Sequence, residues 1–389
     1  MNICYFAPNI LYQAPHAGYT HTINLCKELQ KKGNKVLIIF QGEKYSEFKK
    51  DDFYIITAPN WGHMGSFSIY SLLKLFPILI KLVKICKKYQ IDLIHERSGL
   101  PRGIGIIAAR ILKIKSVTEI NSPFIEEHEI KRDLLFRIWR KLMFQLTNLI
   151  ITQTPILKKI LCKDIRADKI QIISNGVDPK LFTSTISGEF IRDKYNIQKD
   201  TILIVFVGAF HPWHGVKQII TIAEIMKKEK MNVKFLMVGK GPLFSTIKDN
   251  IYKKNLNNDV FLAGAVNYSE IPKHIASADI AIAPFYIYDY KPMVKYGFWW
   301  CPVKLFEYLA MGKPIISISA GVIPKIVPHN QAGLLSPPND FNQLIVNLKN
   351  LIHSKELRQK MGTYGREFVV KNFSWTSLAS EINKIYTNL

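Results

Sequence analysis

Short runs of β-branched and other apolar residues alternate with longer segments of helical periodicity along the chain. In the first half, the strand-like runs are residues 2–7, 36–40, 92–95, 116–120, 149–152 and 169–173. Between them, apolar residues recur at helical spacing in residues 22–32, 72–89, 102–112 and 134–147. This alternation predicts an α/β fold in which helices cover both faces of a parallel sheet.

The same pattern restarts near residue 200. Strand-like runs at residues 201–207, 233–238, 260–263, 279–284 and 315–319 alternate with helical segments at 216–228, 243–254, 269–277 and 303–311. The break holds the turn dipeptide Asn175-Gly176 and then Pro179. A chain of 389 residues is also long for one hydrophobic core. We therefore predict two Rossmann-like, doubly wound domains that face each other across a cleft, with ligands beyond the carboxyl ends of the strands.

One short helix in the second half has clear ends and carries opposite charges. Pro302 suits its first position, Val303 follows, and Gly312 suits its left-handed end. Lys304 and Glu307 are three residues apart and share one face. A lysine at a helix N-terminus attracts phosphate, and a carboxylate one turn later can accept hydrogen bonds from a ribose diol. The pattern indicates a nucleotide diphosphate site, although a buried helix with one lysine reaching solvent would look the same.

Glycine loops follow two other strands of the predicted second domain. Gly208 ends one strand and Gly215 opens the next helix, and Gly239 and Gly241 occupy the same place after the following strand. Glycine lets the backbone approach a phosphate closely at a helix N-terminus. Two such loops and the charged helix would meet at the carboxyl edge of one sheet, which is more specific than any one of them.

The first domain offers weaker signals. Gly18 lies in the loop at residues 15–21, which is either a phosphate- or sugar-facing loop or a plain turn. A GxGxxA pattern starts at Gly103, and Glu119 follows it, as in dinucleotide sites. The preceding strand ends well before Gly103, so close helix packing is the favoured interpretation of this pattern.

Composition narrows the function classes. The net charge of +23 is spread over both halves and suits anionic partners such as phosphorylated substrates or lipids, although a solvated lysine-rich surface would give the same value. Five scattered cysteines argue against a disulfide scaffold and a structural zinc. The sequence has no HExxH, P-loop, GxSxG or Asp-x-Asp signal for the corresponding chemistries. It also shows no signal peptide and no charge-free apolar stretch of 18 residues, so we expect a cytoplasmic protein.

Nearly the whole chain resembles the retaining glycosyltransferases of family GT4, which have the GT-B fold. The resemblance rests on VGAFHPWHGV, MVGKGPL, AGAVNYSEIPKHIASADIAIAPF, GFWWCPVKLFEYLAMGKP and AGLLSPPND in the second half, and on HAGYTHTINLCKELQKKGNKV, IISNGVDPKLF and NFSWTSLASEINKIY elsewhere. It implies transfer of a sugar from a UDP-sugar or GDP-sugar, with no metal required. It also implies an acceptor-binding domain at residues 1–178, joined by a C-terminal helix at 374–389, and a donor-binding domain at residues 179–373.

The resemblance assigns roles to individual residues. Glu307 matches the second glutamate of an E-x7-E pattern, which binds the donor ribose, and the first glutamate falls at Trp299. Gly18 matches the loop that approaches the diphosphate, Gly239 and Gly241 match the loop that lines the nucleotide, and Val266 is expected to contact the base. The glycine loops and the helix start add four further nucleotide-binding candidates: Gly208, Gly215, Pro302 and Val303. An arginine and a lysine of the family fall at Ala209 and His214. Lys304 and His214 are therefore expected to share the diphosphate, and loss of activity is the alternative.

Polar residues also end two strands of the first domain. Glu119 and Asn121 lie at the end of one strand and are expected to orient the acceptor or the sugar. Glu96 and Arg97 end the preceding strand. Their opposite charges are interpreted as a surface ion pair that contributes little to stability.

Two basic amphipathic segments, residues 71–88 and 132–147, are candidates for contact with a membrane surface. Such helices can lie on anionic bilayers, although core helices with a lysine face look similar. The expected function is transfer to a glycan or to a polyprenyl- or lipid-linked acceptor in surface polysaccharide synthesis, at the inner face of the cell membrane and without nucleic acid. The alternatives are a non-catalytic nucleotide-sugar-binding partner of a glycan assembly complex and a nucleotide-sugar epimerase.

Overall fold

The computed structural model describes residues 1–13, 17–50, 52–59, 75–97, 103–123 and 134–389. They divide into two compact units. One unit contains Met1–Asn175 and Trp375–Leu389, and the other contains Gly176–Ser374.

Each unit is built on one sheet. Eight described strands form the sheet of the first unit: β1 Asn2–Leu11, β2 Lys35–Gln41, β3 Ser46–Lys50, β4 Phe53–Ala58, β5 Leu93–Arg97, β6 Lys115–Ile120, β7 Leu149–Thr152 and β8 Ile170–Ile172. Six form that of the second: β9 Ile202–Val207, β10 Val233–Val238, β11 Val260–Gly264, β12 Ile280–Ala283, β13 Ile315–Ile318 and β14 Gly333–Ser336. The described strand pairs are parallel except β3 with β4, so the α/β architecture with parallel sheets is confirmed.

Helices connect the strands. Those of the first unit are α1 Ala17–Lys31, α2 Leu75–Lys88, α3 Ile104–Leu112, α4 Leu134–Leu146 and α5 Pro155–Leu161. Those of the second are α6 Glu189–Lys194, α7 Val216–Lys228, α8 Phe244–Lys253, α9 Ile271–Ala276, α10 Lys291–Tyr296, α11 Val303–Ala310, α12 Ile323–Ile326, α13 Phe341–His353 and α14 Lys355–Phe373. The last helix, α15 Trp375–Thr387, returns to the first unit.

The first sheet is buried on both faces, as the alternation along β1 requires. Ile3 and Tyr5 point into a core shared with α1 and α15, whereas Cys4 and Phe6 point into a core shared with α2 and α3. Side chains of a strand alternate between faces, so a strand that is apolar at every position is covered on both sides.

The second sheet has the strand order β11-β10-β9-β12-β13-β14. The chain leaves β9 toward β10 on one side and returns to β12 on the other side. In an open parallel sheet, this reversal leaves a crevice beyond the carboxyl ends of the two central strands, where ligands bind.

Several element boundaries differ from the predictions. Helix α1 begins at Ala17, so Gly18 lies in its first turn and not in a loop. Pro302 precedes α11 with φ −70° and ψ 112°, and is therefore its N-cap instead of its first helical residue. The short strands β3, β4 and β14 and the helices α13 and α14 were not predicted.

Some predicted features lie outside the described residues: Pro15, His16, residues 72–74, Arg102 and residues 132–133. Among the helices that the structure describes, none combines the length and the apolar character needed to cross a bilayer.

Candidate active site

The glycines of the second unit let its loops pack against one another at the carboxyl edge of the sheet. Gly208 follows β9 with φ +144°, and a Cβ atom there would lie 2.5 Å from Nζ of Lys304. Gly239 follows β10 with φ +135°, and its Cβ would overlap the carbonyl oxygen of Gly208. Gly215 and Gly241 are confined in the same way, against the backbones of other loops. The positive φ angles of Gly208, Gly215 and Gly239 disfavour any side chain, and the backbone of Phe210 leaves no room for one at Gly241.

Lys304 occupies the crevice between β9 and β12, in the first turn of α11. Its Nζ atom is buried and has no hydrogen-bond partner among the residues that the structure describes. It lies 4.2 Å from the ring centre of Phe206 and 5.4 Å from that of Phe285. Burial lowers the pKa of Lys304 to about 7, although the charge of Glu307 opposes this shift. A buried ammonium group without an acceptor is suited to receive an anion.

Glu307 lies one turn further along α11 and is 5% exposed. Tyr268 donates a hydrogen bond of 2.9 Å from its hydroxyl to Oε1 of Glu307. Burial raises the pKa of Glu307 to about 7, against the hydrogen bond and the charge of Lys304. Sequence reasoning missed Tyr268, although it stands in the segment that follows β11, beside the predicted Val266.

His214 is held in one tautomer by the loop after β9. Its Nδ1 atom lies 2.6 Å from the carbonyl oxygen of Ala209. A carbonyl oxygen only accepts, so Nδ1 carries the proton and Nε2 keeps a lone pair. Burial, followed by the charge of Lys304, lowers the pKa of His214 to about 3. His214 is therefore neutral at pH 7 in the free protein, and its role at the diphosphate stays a prediction.

The structure also corrects the expectation that Trp299 contacts the nucleotide. Trp299 is 1% exposed and belongs to the core of the second unit. Its neighbour Trp300 is half-buried, with its ring 5.9 Å from that of Trp213 and 5.8 Å from that of His214. The accessible aromatic surface beside His214 is thus provided by Trp300 and Trp213.

The loops after β10 and β11 complete this edge of the sheet. The backbone N–H of Gly239 donates to the carbonyl of Gly264 over 2.8 Å, and half-buried Val266 follows two residues later. Lys240, between Gly239 and Gly241, is exposed. Sequence reasoning missed Lys240, which adds a second cation at this edge.

Glu119 lies inside the first unit and is 2% exposed. Its carboxylate accepts a hydrogen bond of 2.8 Å from the Tyr5 hydroxyl and pairs with Arg97, and His95 and His21 lie 3.2 Å and 3.4 Å away. Burial alone would raise the pKa of Glu119, but Arg97 and the two histidines hold it well below its usual value. Glu119 is an internal ion-pair partner, which corrects the expectation that it contacts an acceptor or a sugar.

Three other residues complete the first-unit predictions. Arg97 and Glu96 are 9% and 2% exposed, so the expected surface ion pair is wrong. Asn121 is half-buried, and its Oδ1 has no hydrogen-bond partner among the described residues. The structure therefore brings together Lys304, His214 and the glycine loops in the second unit, whereas Gly18, Glu119 and Asn121 belong to the first.

The second unit combines a parallel sheet with a switch point, glycine loops at its carboxyl edge and a helix that begins with a buried lysine. A fold and a site of this kind define an α/β enzyme that uses a nucleotide. In the described part of the chain, no group of three His, Cys, Asp or Glu side chains is arranged to hold a metal ion.

Two family models match the chain. Glycosyltransferase Family 4 matches residues 19–181, and Glycosyl transferases group 1 matches residues 187–368. The chain belongs to glycosyltransferase family 4 and has the GT-B fold. It is a transferase that uses a nucleotide sugar.

Similar proteins support this assignment over most of the chain. An uncharacterised glycosyltransferase of Methanocaldococcus jannaschii is 26% identical, over 98% of this chain and 97% of the relative. UDP-Gal:alpha-D-GlcNAc-diphosphoundecaprenol alpha-1,3-galactosyltransferase of Escherichia coli is 24% identical, over 82% of this chain and 81% of the relative. Among solved structures, Anabaena HepE in complex with UDP has a TM-score of 0.76 at 17% identity, over 100% of both chains.

Proposed function

We propose that the protein transfers a sugar from a nucleoside diphosphate sugar to a glycan or lipid-linked acceptor, with retention of the anomeric configuration. The observation that carries the proposal is the buried Nζ of Lys304, which has no acceptor among the described residues and lies at the start of α11. Negative charge develops on the leaving diphosphate as the glycosidic bond breaks. A positive charge and free N–H groups already in place stabilise that charge without reorganisation.

Each group at the crevice has a role in this proposal. Lys304 binds the diphosphate, and the N-terminal N–H groups of α11, which no side chain of the described residues caps, donate to it. Glu307, held by Tyr268, accepts the ribose hydroxyls. The lone pair on Nε2 of His214 accepts a hydrogen bond from a hydroxyl group of the transferred sugar. A leaving phosphate oxygen takes the proton of the acceptor hydroxyl, so no basic side chain is needed at that step.

The donor is a UDP-sugar or a GDP-sugar, and no metal takes part. HepE was solved with UDP, and the similar Escherichia coli enzyme is named for a UDP-Gal donor and a diphosphoundecaprenol acceptor. We assign donor binding to residues 179–373 and acceptor binding to residues 1–178 with 374–389. Gly18, in the first turn of α1, lies near the donor diphosphate in this assignment.

The protein acts in the cytoplasm, at the inner face of the cell membrane. Helix α4 supports this location, because Leu134, Ile138 and Leu142 are 69%, 55% and 42% exposed and lie four residues apart on one face. Arg137 and Lys141 are exposed beside them. An apolar stripe flanked by cations, on a chain of net charge +23, suits an anionic bilayer.

The decisive experiment first screens UDP-, GDP- and other nucleotide sugars for thermal stabilisation of the protein. The sugar nucleotide that stabilises it is then incubated with a membrane lipid extract, and release of nucleoside diphosphate is measured. Wild-type protein should release it, and Glu307→Ala should not, while remaining folded. If the protein binds a sugar nucleotide but releases no nucleoside diphosphate, it is a non-catalytic binding protein. If it converts the sugar nucleotide into another one in the absence of acceptor, it is an epimerase.

A further inference from the structure

A separate cleft opens at the carboxyl edge of the second sheet, beyond the ends of β12, β13 and β14. Its volume is about 390 Å³. One wall is formed by Tyr286 and Tyr288, whose rings pack edge to face at 5.6 Å, and another by Pro337 and Pro338. None of the residues predicted to bind the nucleotide lines this cleft.

The polar groups of the cleft come from α7 and from the loop before α13. Gln218 lines it, and its Oε1 atom is buried without a hydrogen-bond partner in the described part of the chain. A buried amide oxygen without a donor is costly, which indicates that a ligand or water supplies one. Asn339 is exposed at the mouth and offers a second amide.

The charge of the cleft is balanced. Lys217 is its cation, and Asp340 is its anion, with Oδ1 already accepting a hydrogen bond of 2.8 Å from the backbone N–H of Gln343. A nucleotide would require more positive charge than one exposed lysine provides. The cleft therefore suits a neutral ligand.

We propose that this cleft binds a neutral glycan, one or two sugar residues at a time. A pyranose ring has an apolar C–H face that packs against tyrosine rings and hydroxyl groups that donate to amide oxygens. Tyr288, 45% exposed, provides the ring, and Gln218 provides the buried acceptor. The volume lies in the usual range of small-molecule sites, about 300–1,000 Å³.

The cleft and the nucleotide site share one residue and are connected by a backbone hydrogen bond. Phe285 lines the cleft and also lies 5.4 Å from Nζ of Lys304. The backbone N–H of Tyr286 donates to the carbonyl of Trp213 over 3.0 Å, which ties the tyrosine wall to the loop that carries His214. The identity of the glycan as acceptor or product rests on the proposed function, whereas the presence of the site does not.

The test uses the full-length protein and four neutral probes: maltotriose, cellotriose, chitotriose and mannotriose. Affinity is measured by ligand-observed NMR up to about 10 mM, a concentration that detects millimolar binding. At least one trisaccharide should bind the wild type, and Tyr288→Ala and Gln218→Leu should each weaken it about tenfold. Tyr252→Ala, at a tyrosine 74% exposed on α8 outside the cleft, should not change it.

The proposal is overturned if no probe binds, or if either Tyr288→Ala or Gln218→Leu leaves the affinity unchanged. It is also overturned if a proline-rich decapeptide binds the cleft in preference to the trisaccharides, since tyrosine-lined grooves recognise such peptides as well. Nucleotide binding is measured in parallel on the same variants and should be unaffected. Failure of the proposed function would appear there, as loss of nucleotide-sugar binding by the wild type, and not in the trisaccharide measurements.

Discussion

The hydroxyl of Tyr268 donates a hydrogen bond of 2.9 Å to Oε1 of Glu307, and this bond joins the loop after β11 to helix α11. Both groups are largely shielded from water, and burial, together with the nearby carboxylate of Glu307, raises the pKa of Tyr268. The tyrosine therefore remains a donor at any pH at which the protein is folded. It fixes Oε1 of Glu307, so Oε2 is the oxygen that would accept the ribose hydroxyls in the proposed function.

Tyr268→Phe should weaken nucleotide binding without changing the fold. Removal of one hydrogen bond to a buried carboxylate costs about 1–2 kcal/mol and raises the pKa of Glu307 further above 7. Affinity for UDP, measured by calorimetry at pH 7, should fall about tenfold and recover in part at pH 8. Affinity for inorganic pyrophosphate should not change, because it has no ribose. An equal loss for both ligands would contradict the ribose role of Glu307.

Lys304→Met should stabilise the free protein while strongly weakening nucleotide binding. The substitution removes a buried ammonium group that has no hydrogen-bond partner among the described residues, which should be worth about 1–2 kcal/mol at pH 7. Thermal melting and UDP affinity should therefore change in opposite directions.

Lys313→Met is the matched control. Nζ of Lys313 donates to the carbonyl oxygens of Ala276 and Ala278 over 2.9 Å and 2.6 Å. Its loss leaves two acceptors unsatisfied, so the melting temperature should fall and UDP affinity should persist. If Lys304→Met and Lys313→Met both destabilise the protein, the interpretation that Lys304 is unpaired until an anion binds is wrong.

Donor binding should exchange protons with the solvent, and the sign of the exchange should reverse near pH 7. The diphosphate favours charged Lys304 and raises its pKa from about 7, so binding takes up a proton above pH 7. The ribose favours ionised Glu307 and lowers its pKa from about 7, so binding releases a proton below pH 7.

Calorimetry of a nucleotide sugar in buffers of different ionisation enthalpy measures this exchange. A nucleotide sugar is preferable to UDP, because its diphosphate has no group that titrates near pH 7. Glu307→Gln should leave only uptake, and Lys304→Met should leave only release in whatever binding remains. No proton exchange by the wild type between pH 6 and 8 would show that these two groups do not contact the donor.

The same two groups affect the stability of the free protein. Lys304 has a folded pKa below its usual 10.5, so the unfolded chain binds more protons between pH 7 and 10 and stability rises with pH there. Glu307 has a folded pKa above its usual 4.5, so stability falls as the pH rises from about 4.5 to 7. Together they contribute a minimum of the unfolding free energy near pH 7. Melting curves of wild type and the Lys304→Met, Glu307→Gln double variant should differ most at that pH.

The parallel architecture was predictable because the central strands are apolar at every position, and such runs identify buried strands without knowledge of the rest of the fold. β3 lacked such a signal, since it is a polar edge strand whose pairing with β4 depends on the fold. At the site, the position of Lys304 on its helix was readable from local spacing. The contact between Tyr268 and Glu307 was not, because the two residues are 39 positions apart and meet only when β11 and α11 are in place. The neutral state of His214 likewise arises from burial in the folded unit.

Trp299 and Trp300 are adjacent and chemically identical, yet the structure gives them opposite environments, and their substitutions should have opposite effects. Trp299, 1% exposed, fills the core, so Trp299→Ala should lower the free energy of unfolding by about 3–5 kcal/mol. Trp300 is half-buried beside His214, so Trp300→Ala should cost much less stability. Its effect should appear in ligand binding, as loss of the extra affinity of a nucleotide sugar over its nucleoside diphosphate. Chemical denaturation and calorimetry of both variants distinguish these outcomes, and a Trp299→Ala variant that melts like the wild type would contradict the burial of Trp299.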